Sequence, residues 1–424
     1  MDLKNKILEI LKDNYLCENC LGRLAGNLLS GYSNEERGKI IRTYLAMLID
    51  SGEKIQINPA NLYGIKFRNV KIETVKPDIC FVCKNFFITG INEVVNKIVK
   101  RIEKIEFDTF LIGSVLNDDM LSAENYIWER IGIESVESIK SEINREVGKR
   151  IEKITGKKSK SVNPDLTILV DLKNNKISVS IRSLYIKGSY KKLIRGIPQS
   201  KWLCVNCNGK GCIKCKGKGK LYPTSVQEII EKPLLKATKG NKSYFHAEGR
   251  EDINVRCLAW RPFIIEISKP LKRFINLREI ERNINKSKKV KVKGLTIIQN
   301  GKEEVRRLKT ERVDKTYLAE ITFYKKVDRN KLKELKNLTK EPIVQRTPLR
   351  VLHRRKDKFR KRLVKKVSWK IIGDRRILLK VRAESGLYIK ELITGDEGRT
   401  KPNVAEILDN KIKKINLDVI KIHN

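Results

Sequence analysis

Eight of the nine cysteines fall into C-x-x-C pairs: Cys17/Cys20, Cys80/Cys83, Cys204/Cys207 and Cys212/Cys215. Chance at this cysteine content would give roughly 0.2 such pairs. A C-x-x-C turn aims two thiolates at one metal, and two such turns complete a four-sulfur tetrahedron around zinc. Cys204, Cys207, Cys212 and Cys215 belong to two consecutive copies of C-x-x-C-x-G-x-G, CVNCNGKG and CIKCKGKG, whose glycines allow the positive φ of a tight knuckle. Contiguous sequence thus suffices for one zinc. Cys17/Cys20 and Cys80/Cys83 are far apart and would share a second zinc, stapling the chain start to a later segment. With sulfur in all four positions neither site leaves room for a catalytic water, so both zincs are expected to be structural. An iron–sulfur cluster is the competing occupant, and disulfides are disfavoured in a reducing compartment. Cys257 is left over as a small buried apolar residue. Three histidines, His246, His353 and His423, are too few for a histidine-rich metallohydrolase.

A second constellation lies downstream. Phe245-His246-Ala247-Glu248-Gly249-Arg250-Glu251-Asp252 carries a G-R-x-D core; Lys315-Thr316-Tyr317-Leu318-Ala319 and Gly386-Leu387-Tyr388-Ile389-Lys390 follow in order, then Gly395-Asp396-Glu397-Gly398-Arg399-Thr400. Between them stands Gln345-Arg346-Thr347-Pro348-Leu349-Arg350-Val351-Leu352-His353-Arg354-Arg355. The G-R-x-D core resembles the catalytic loop of the pseudouridine synthases. The ordered set resembles the archaeal/eukaryotic "Pus-ten" family, to which the N-terminal C-x-x-C pairs and the Arg182–Trp202 segment are also similar.

The resemblance implies that Asp252 is the indispensable catalytic residue and that Tyr317 stacks on the target base. It implies that Lys390, in a G-x-Y-I-[RK] strand with Tyr388, pairs with Asp252, and that Arg250 fills the space a flipped nucleotide vacates. It further implies an N-terminal THUMP-like RNA-binding domain and T-loop uridines, tRNA positions 54 and 55, as targets. Two departures stand out. No glycine-containing turn precedes Arg261-Pro262, and Lys390 replaces an Arg of some relatives, keeping charge without bidentate geometry.

Such an isomerisation breaks the N1–C1′ bond, turns the uracil and joins C5 to the same C1′, so no organic cofactor is required. The base must first leave its stack. Asp252 would then act as nucleophile, or as base on the ribose 2′ proton, and either route needs an ionised carboxylate. Burial alone would neutralise it, so a neighbouring cation such as Lys390 is required. Tyr317 could also assist removal of the C5 proton.

These residues need elements to hold them. Residues 1–50 read as two helices with Leu3, Ile7, Ile10 and Leu11 at helical spacing; 91–105 and about 123–155 are again helical, and 53–90 reads as short strands and turns. Leu166–Val170 and Ile177–Ile186 are β-rich around an Asn174-Asn175 turn. Further strands are expected at Pro262–Ser268, Val290–Gln299, Thr316–Tyr324, Ile343–Leu352 and Ile377–Ala383, then a helix at Asn403–Asp409 and a strand at Ile415–Ile422. The fold class is α+β: an accessory domain over 1–202, zinc-bearing, THUMP-like and α/β, then a catalytic domain over 203–424 with a mostly antiparallel mixed sheet and a knuckle at 204–215.

Charge fits that partner. The chain has 424 residues, 92 Lys+Arg against 50 Asp+Glu, and a net charge of +42. Such an excess repels itself unless a polyanion is bound. A Lys-rich proteome would normally raise Glu as well. The runs Arg354–Lys366, Lys286–Lys293 and the basic Tyr190–Trp202 segment are candidate phosphate contacts. With no long apolar run, signal peptide or lipidation box, the expected setting is the cytoplasm, with tRNA as partner, no membrane, no obligate protein partner and a monomeric state. A non-catalytic RNA-binding or RNA-processing factor of the same fold is the alternative. A THUMP-containing methyltransferase would need a Gly-rich nucleotide loop, which is missing, and a zinc-dependent chaperone module would not need +42.

Overall fold

The computed structural model describes residues 2–423. The chain divides into two units, one ending at Arg182 and the other starting at Ser183.

In the first unit, strands β1 (Thr109–Val115), β2 (Lys158–Ser159), β3 (Leu166–Asp171) and β4 (Lys176–Ile181) form a sheet in the order β2-β1-β3-β4. The β1–β3 pairing is parallel, and β3–β4 is the hairpin expected around Asn174-Asn175. Helices Ile91–Ile102, Asp118–Ile131 and Ile139–Thr155 place Val95, Ile98, Ile127, Ile143 and Val147 in one core with Phe110, Ile112 and Ile168. The single helical stretch expected over 123–155 is two helices. Gly132 turns out of the first with φ +87°, and Ser138 caps the second by accepting from Ser141 N.

The chain start holds three helices rather than two: Leu3–Asp13, Glu18–Gly22 and Asn34–Asp50, the last opened by a Ser33/Glu36 capping box. Residues 53–90 contain no strand among the described residues. Side chains take the place of a ladder there: Asp50 accepts from the amides of Arg68 and Asn69, and Asn61 bonds the main chain of Leu11, Asn14 and Leu16. A segment without sustained alternation has no face to offer a sheet.

The stretch read as one strand over Ile177–Ile186 is also two. It breaks at Arg182, whose amide and guanidinium both bond Asp165, and β5 (Leu184–Lys192) belongs to the second unit. The division therefore falls twenty residues ahead of the expected boundary after Trp202.

The second unit is built on β5, β6 (Lys242–Ala247), β7 (Arg256–Ser268), β8 (Val290–Ile298), β9 (Asp314–Phe323), β10 (Ile343–Arg346), β11 (Phe359–Arg362), β12 (Val364–Gly373), β13 (Arg376–Ala383), β14 (Thr400–Lys401) and β15 (Ile412–His423). Eight of them make one sheet, β12-β13-β9-β15-β7-β5-β8 with β6 also on β7; only β15–β7 is parallel. The mostly antiparallel mixed sheet expected for this half is what is found. A small sheet, β11-β10-β14, stands apart from it. Ile343–Leu352 is strand only to Arg346, because Pro348 lacks the N–H a continuing ladder needs and the chain turns into a short helix over Leu349–Arg354.

Candidate active site

The loop carrying Asp252 joins β6 to β7. Gly249 enters it with φ +70°, and a Cβ there would meet Arg261 Nη1 at 3.3 Å, so no other residue fits without strain. Side chains then alternate. Glu248 and Glu251 turn inward and are buried, while Arg250 is exposed and Asp252 half-exposed on the cleft.

The inward carboxylates are fully partnered. Glu248 accepts from Lys315 Nζ at 2.9 Å. Glu251 accepts from Tyr190 Oη at 3.0 Å and lies 3.2 Å from Arg261 Nε. Arg261 Nη1 also donates to the Glu248 carbonyl at 2.6 Å. Gln199 Nε2 closes the network on Tyr190 Oη at 2.8 Å and the Gly249 carbonyl at 3.0 Å. Removing one member of a buried ion pair costs about 3–5 kcal/mol, so the loop has essentially one arrangement.

Asp252 meets two cations. Its Oδ1 accepts from Arg350 Nη1 at 2.9 Å, and Oδ2 lies 3.5 Å from Lys390 Nζ. Arg350 Nε donates at 2.6 Å to Glu391, a carboxylate that is 3% exposed, so one guanidinium spans two acids. Lys390 stands on the first turn of a helix, Ile389–Thr394, and not on the strand expected for its motif. Gly386, at φ +94°, ends β13's direction and turns the chain before that helix. Tyr388 is fixed just before it: its amide donates to Gln345 Oε1 at 2.8 Å, and Gln345 Nε2 donates back to its carbonyl at 3.1 Å. The guanidiniums of Arg350 and Arg360 each lie over the Tyr388 ring, at 5.9 and 5.8 Å from its centroid.

Tyr317, on β9, lines a cavity of about 270 Å³ with Asp252, Leu387 and Lys390. Burial pushes its phenol up to about 12, with Arg261 opposing. A phenol that stays protonated at neutral pH is a poor acceptor for a C5 proton. A second cavity of about 360 Å³ shares Asp252, Arg250, Tyr388 and Lys390, and is closed by Pro198 and Trp202. Arg250 lies over the Trp202 ring at 5.1 Å.

The basic runs behave differently from one another. In Arg354–Lys366, the exposed Arg355 and the half-buried Arg360 line the cleft, and Phe359 is 72% exposed under Arg346. The Tyr190–Trp202 segment flanks the Asp252 cleft through Pro198 and Trp202, as expected, but three of its four charges are engaged within the protein. Lys192 is buried, Arg195 is tied to Asp418 at 2.6 Å, and Lys191 covers the Trp260 ring. These three hold the protein together, while Lys201 is exposed. Trp260 and Arg261 lie within β7, so the missing glycine turn corresponds to a continuous strand.

Sequence reasoning gave no role to Arg350, Arg261, Glu248, Glu251, Lys315 or Gln345, and read Lys192 only as part of a basic segment. A signal existed for Arg261, which shares the inward parity of Cys257, Ala259 and Phe263 along β7. An arginine on a core face implies a buried carboxylate opposite.

Both cysteine sets converge. Cys17, Cys20, Cys80 and Cys83 form one group and Cys204, Cys207, Cys212 and Cys215 another, with the sulfurs of each within 4.8 Å of one another. Sulfurs 2.3 Å from a tetrahedral zinc are about 3.8 Å apart. The separations here are 3.6 Å for Cys17–Cys83, 3.9 Å for Cys204–Cys212 and 3.8 Å for Cys207–Cys215. Amides point at the sulfurs, from Cys17 to Cys80, Gly211 to Cys207 and Gly219 to Cys215. At Cys215 burial acts upward, but the amides of Cys212 and Gly219 together with the thiols of Cys212 and Cys207 draw the Cys215 thiol down to about 6. In the knuckle a Cβ on Gly219 would sit 2.4 Å from the Gly209 carbonyl oxygen, so the two repeats pack backbone to backbone. The donor sets fit a metal ion such as zinc.

Known proteins are similar to this chain along most of its length. The family model described as "Pus10, C-terminal" matches residues 185–423, and "Pus10 THUMP domain, archaeal" matches residues 94–171. A protein of Methanopyrus kandleri named "tRNA pseudouridine synthase Pus10" is 38% identical, over 98% of this chain and 98% of that one. Proteins with the same name from Methanocaldococcus jannaschii and Archaeoglobus fulgidus are 38% and 40% identical, covering 98% and 82% of this chain and 94% and 96% of theirs.

Proposed function

We propose, on the premise that the chain belongs to the Pus10 family of tRNA pseudouridine synthases, that it isomerises the T-loop uridines at tRNA positions 54 and 55 through Asp252. The observation that carries this reading is the half-exposed carboxylate of a tied-down loop, held by Arg350 at 2.9 Å and Lys390 at 3.5 Å in a cavity that Tyr317 also lines. Two cations hold its two oxygens in place on the cleft.

In the proposed course the flipped uracil stacks on Tyr317, and Arg250 takes up the space left in the RNA. Asp252 attacks C1′ or removes the 2′ proton, and the N1–C1′ bond breaks. After rotation C5 joins C1′, displacing the Asp252 carboxylate on the first route or with return of the 2′ proton on the second; the C5 proton is then lost and N1 ends protonated. Atoms and electrons balance within the uridine, so no organic cofactor takes part. The metals, zinc in this reading, would sit in the two four-cysteine groups and supply folding energy only. Cytoplasmic work suits thiolate metal sites, and the proposed working state is a monomer.

The test is incubation with an unmodified tRNA transcript, with pseudouridine mapped by carbodiimide-dependent stops. Stops at positions 54 and 55 are expected, and none anywhere would sink the reading. Arg350→Lys keeps a cation but cannot span Asp252 and Glu391, so the single-turnover rate should fall about 10²-fold. An unchanged rate would remove Arg350 from the site. Binding through the basic cleft should also weaken by about 10³-fold or more between roughly 50 and 200 mM salt. A flat response would reduce the +42 to composition bias.

A further inference from the structure

We propose that Lys192 is a positioning residue for the isomerisation, its buried ammonium fixing the main chain of Asp252 so that the carboxylate meets the ribose in one orientation. This rests on the reading of Asp252 given above.

Lys192 is the last residue of β5 and shares the inward parity of Tyr190. It is 0% exposed. Its Nζ donates to three carbonyl oxygens: Ile197 at 2.9 Å, Asp252 at 3.0 Å and Ile253 at 3.1 Å. An ammonium has three N–H groups, and here each has an acceptor. Two of the three acceptors are the peptide units of Asp252 itself and its successor. The third lies in the 193–199 segment, which also supplies Gly196 N to the Ile253 carbonyl and Gln199 to that of Gly249. One ion thus ties the Asp252 loop to the segment packed against it.

Packing alone does not ask for a lysine here. A buried ammonium carries a desolvation cost that an apolar side chain of the same length avoids. The Asp252 and Ile253 carbonyls, moreover, already accept from the amides of Val255 and Gly196. What the charge adds is charge-assisted strength and a fixed direction at the residue that does the chemistry.

The groups facing it are Glu251 and Asp252 from the loop, which favour the charge, with Arg261 from β7 opposing it and the Cys257 thiol beside them. Burial outweighs all of these and lowers the lysine to about 8. Above that pH the neutral amine offers two N–H groups to three carbonyls, and the hold on the loop weakens. The stability sign is opposite. A lysine whose value drops on folding binds fewer protons folded than unfolded between about 8 and 10.5, so stability rises with pH across that window. Loss of activity there would not be unfolding.

The experiment uses the full chain and unmodified tRNA transcript in single turnover from about pH 6.5 to 9.5, with tRNA affinity and thermal midpoint measured on the same samples. Wild-type rate should decline as pH rises through about 8. Lys192→Met should lower the rate about 10²-fold at neutral pH, with tRNA affinity and thermal midpoint unchanged. Lys192→Arg, charged throughout, should recover part of that loss and move the decline to higher pH. Lys192→Met at the wild-type rate overturns the inference and leaves the isomerase reading standing. Rate and midpoint falling together in Lys192→Met, with a wild-type pH profile in Lys192→Arg, makes the residue structural and also overturns it. Wild-type protein that forms no pseudouridine overturns the underlying reading, and this inference with it.

Discussion

Asp252→Asn protein is expected to bind tRNA at least as tightly as wild type and to form pseudouridine about 10⁴-fold more slowly, whether Asp252 serves as base or as nucleophile. The two halves of this expectation have separate causes. The amide keeps the shape of the carboxylate and one oxygen for Arg350, so the loop, held from below by Glu248, Glu251 and their partners, keeps its form. What disappears is a negative charge that had engaged Arg350 and Lys390. Both cations become available to phosphate, which favours RNA. Activity surviving in this variant would show that Asp252 is not the reacting group. Weaker tRNA binding would show that the carboxylate supports the shape of the cleft as well as its chemistry. Carbodiimide mapping and a filter-binding isotherm on one preparation read both.

How far these residues were legible in the sequence depends on where their partners come from. Asp252, Tyr317 and Lys390 stand in short ordered motifs, and the chain brings them to one cleft. Arg350 lay inside a quoted stretch without a role, because its two acids come from positions 252 and 391, and no local pattern couples these. Lys192 and Arg195 were read as surface charge. Counting basic residues cannot separate a solvated lysine from one under a loop; strand parity can, since Tyr190 and Lys192 share a face. The secondary structure followed the same rule. Long strands with clear alternation, such as β9 and β13, appeared where expected. Residues 53–90, whose order comes from Asp50, Asn61 and the Cys80/Cys83 turn, did not, because side-chain tethers leave no periodicity to read.

The two four-cysteine groups have the same chemistry and should have very different consequences when lost. Cys17, Cys20, Cys80 and Cys83 are at most 4% exposed and lie in one core with Leu16, Leu21, Leu24 and Phe86. Burial pushes the Cys20 thiol well up, while Cys80, against its own burial, is drawn well down by hydrogen bonds from the other three cysteines, so all four become thiolates together only around a cation. Structural zinc contributes about 10–16 kcal/mol, comparable with or greater than the roughly 5–15 kcal/mol net stability of a domain. Cys17→Ser with Cys20→Ser is therefore expected to release one of two metals per chain and abolish cooperative unfolding of the unit ending at Arg182. The knuckle is a surface feature: Cys207, Cys212 and Cys215 are half-buried, and Val205 and Ile213 at its two tips are 83% and 98% exposed. Cys204→Ser with Cys207→Ser should also release one metal, but loosen only the stretch between Leu203 and Lys220, the pair that closes it. Elemental analysis gives the stoichiometry, calorimetry the cooperativity, and limited proteolysis the site of opening. Iron in either group, or equal loss of cooperativity from both double variants, would contradict this division between a metal inside a core and a metal that folds its own loop.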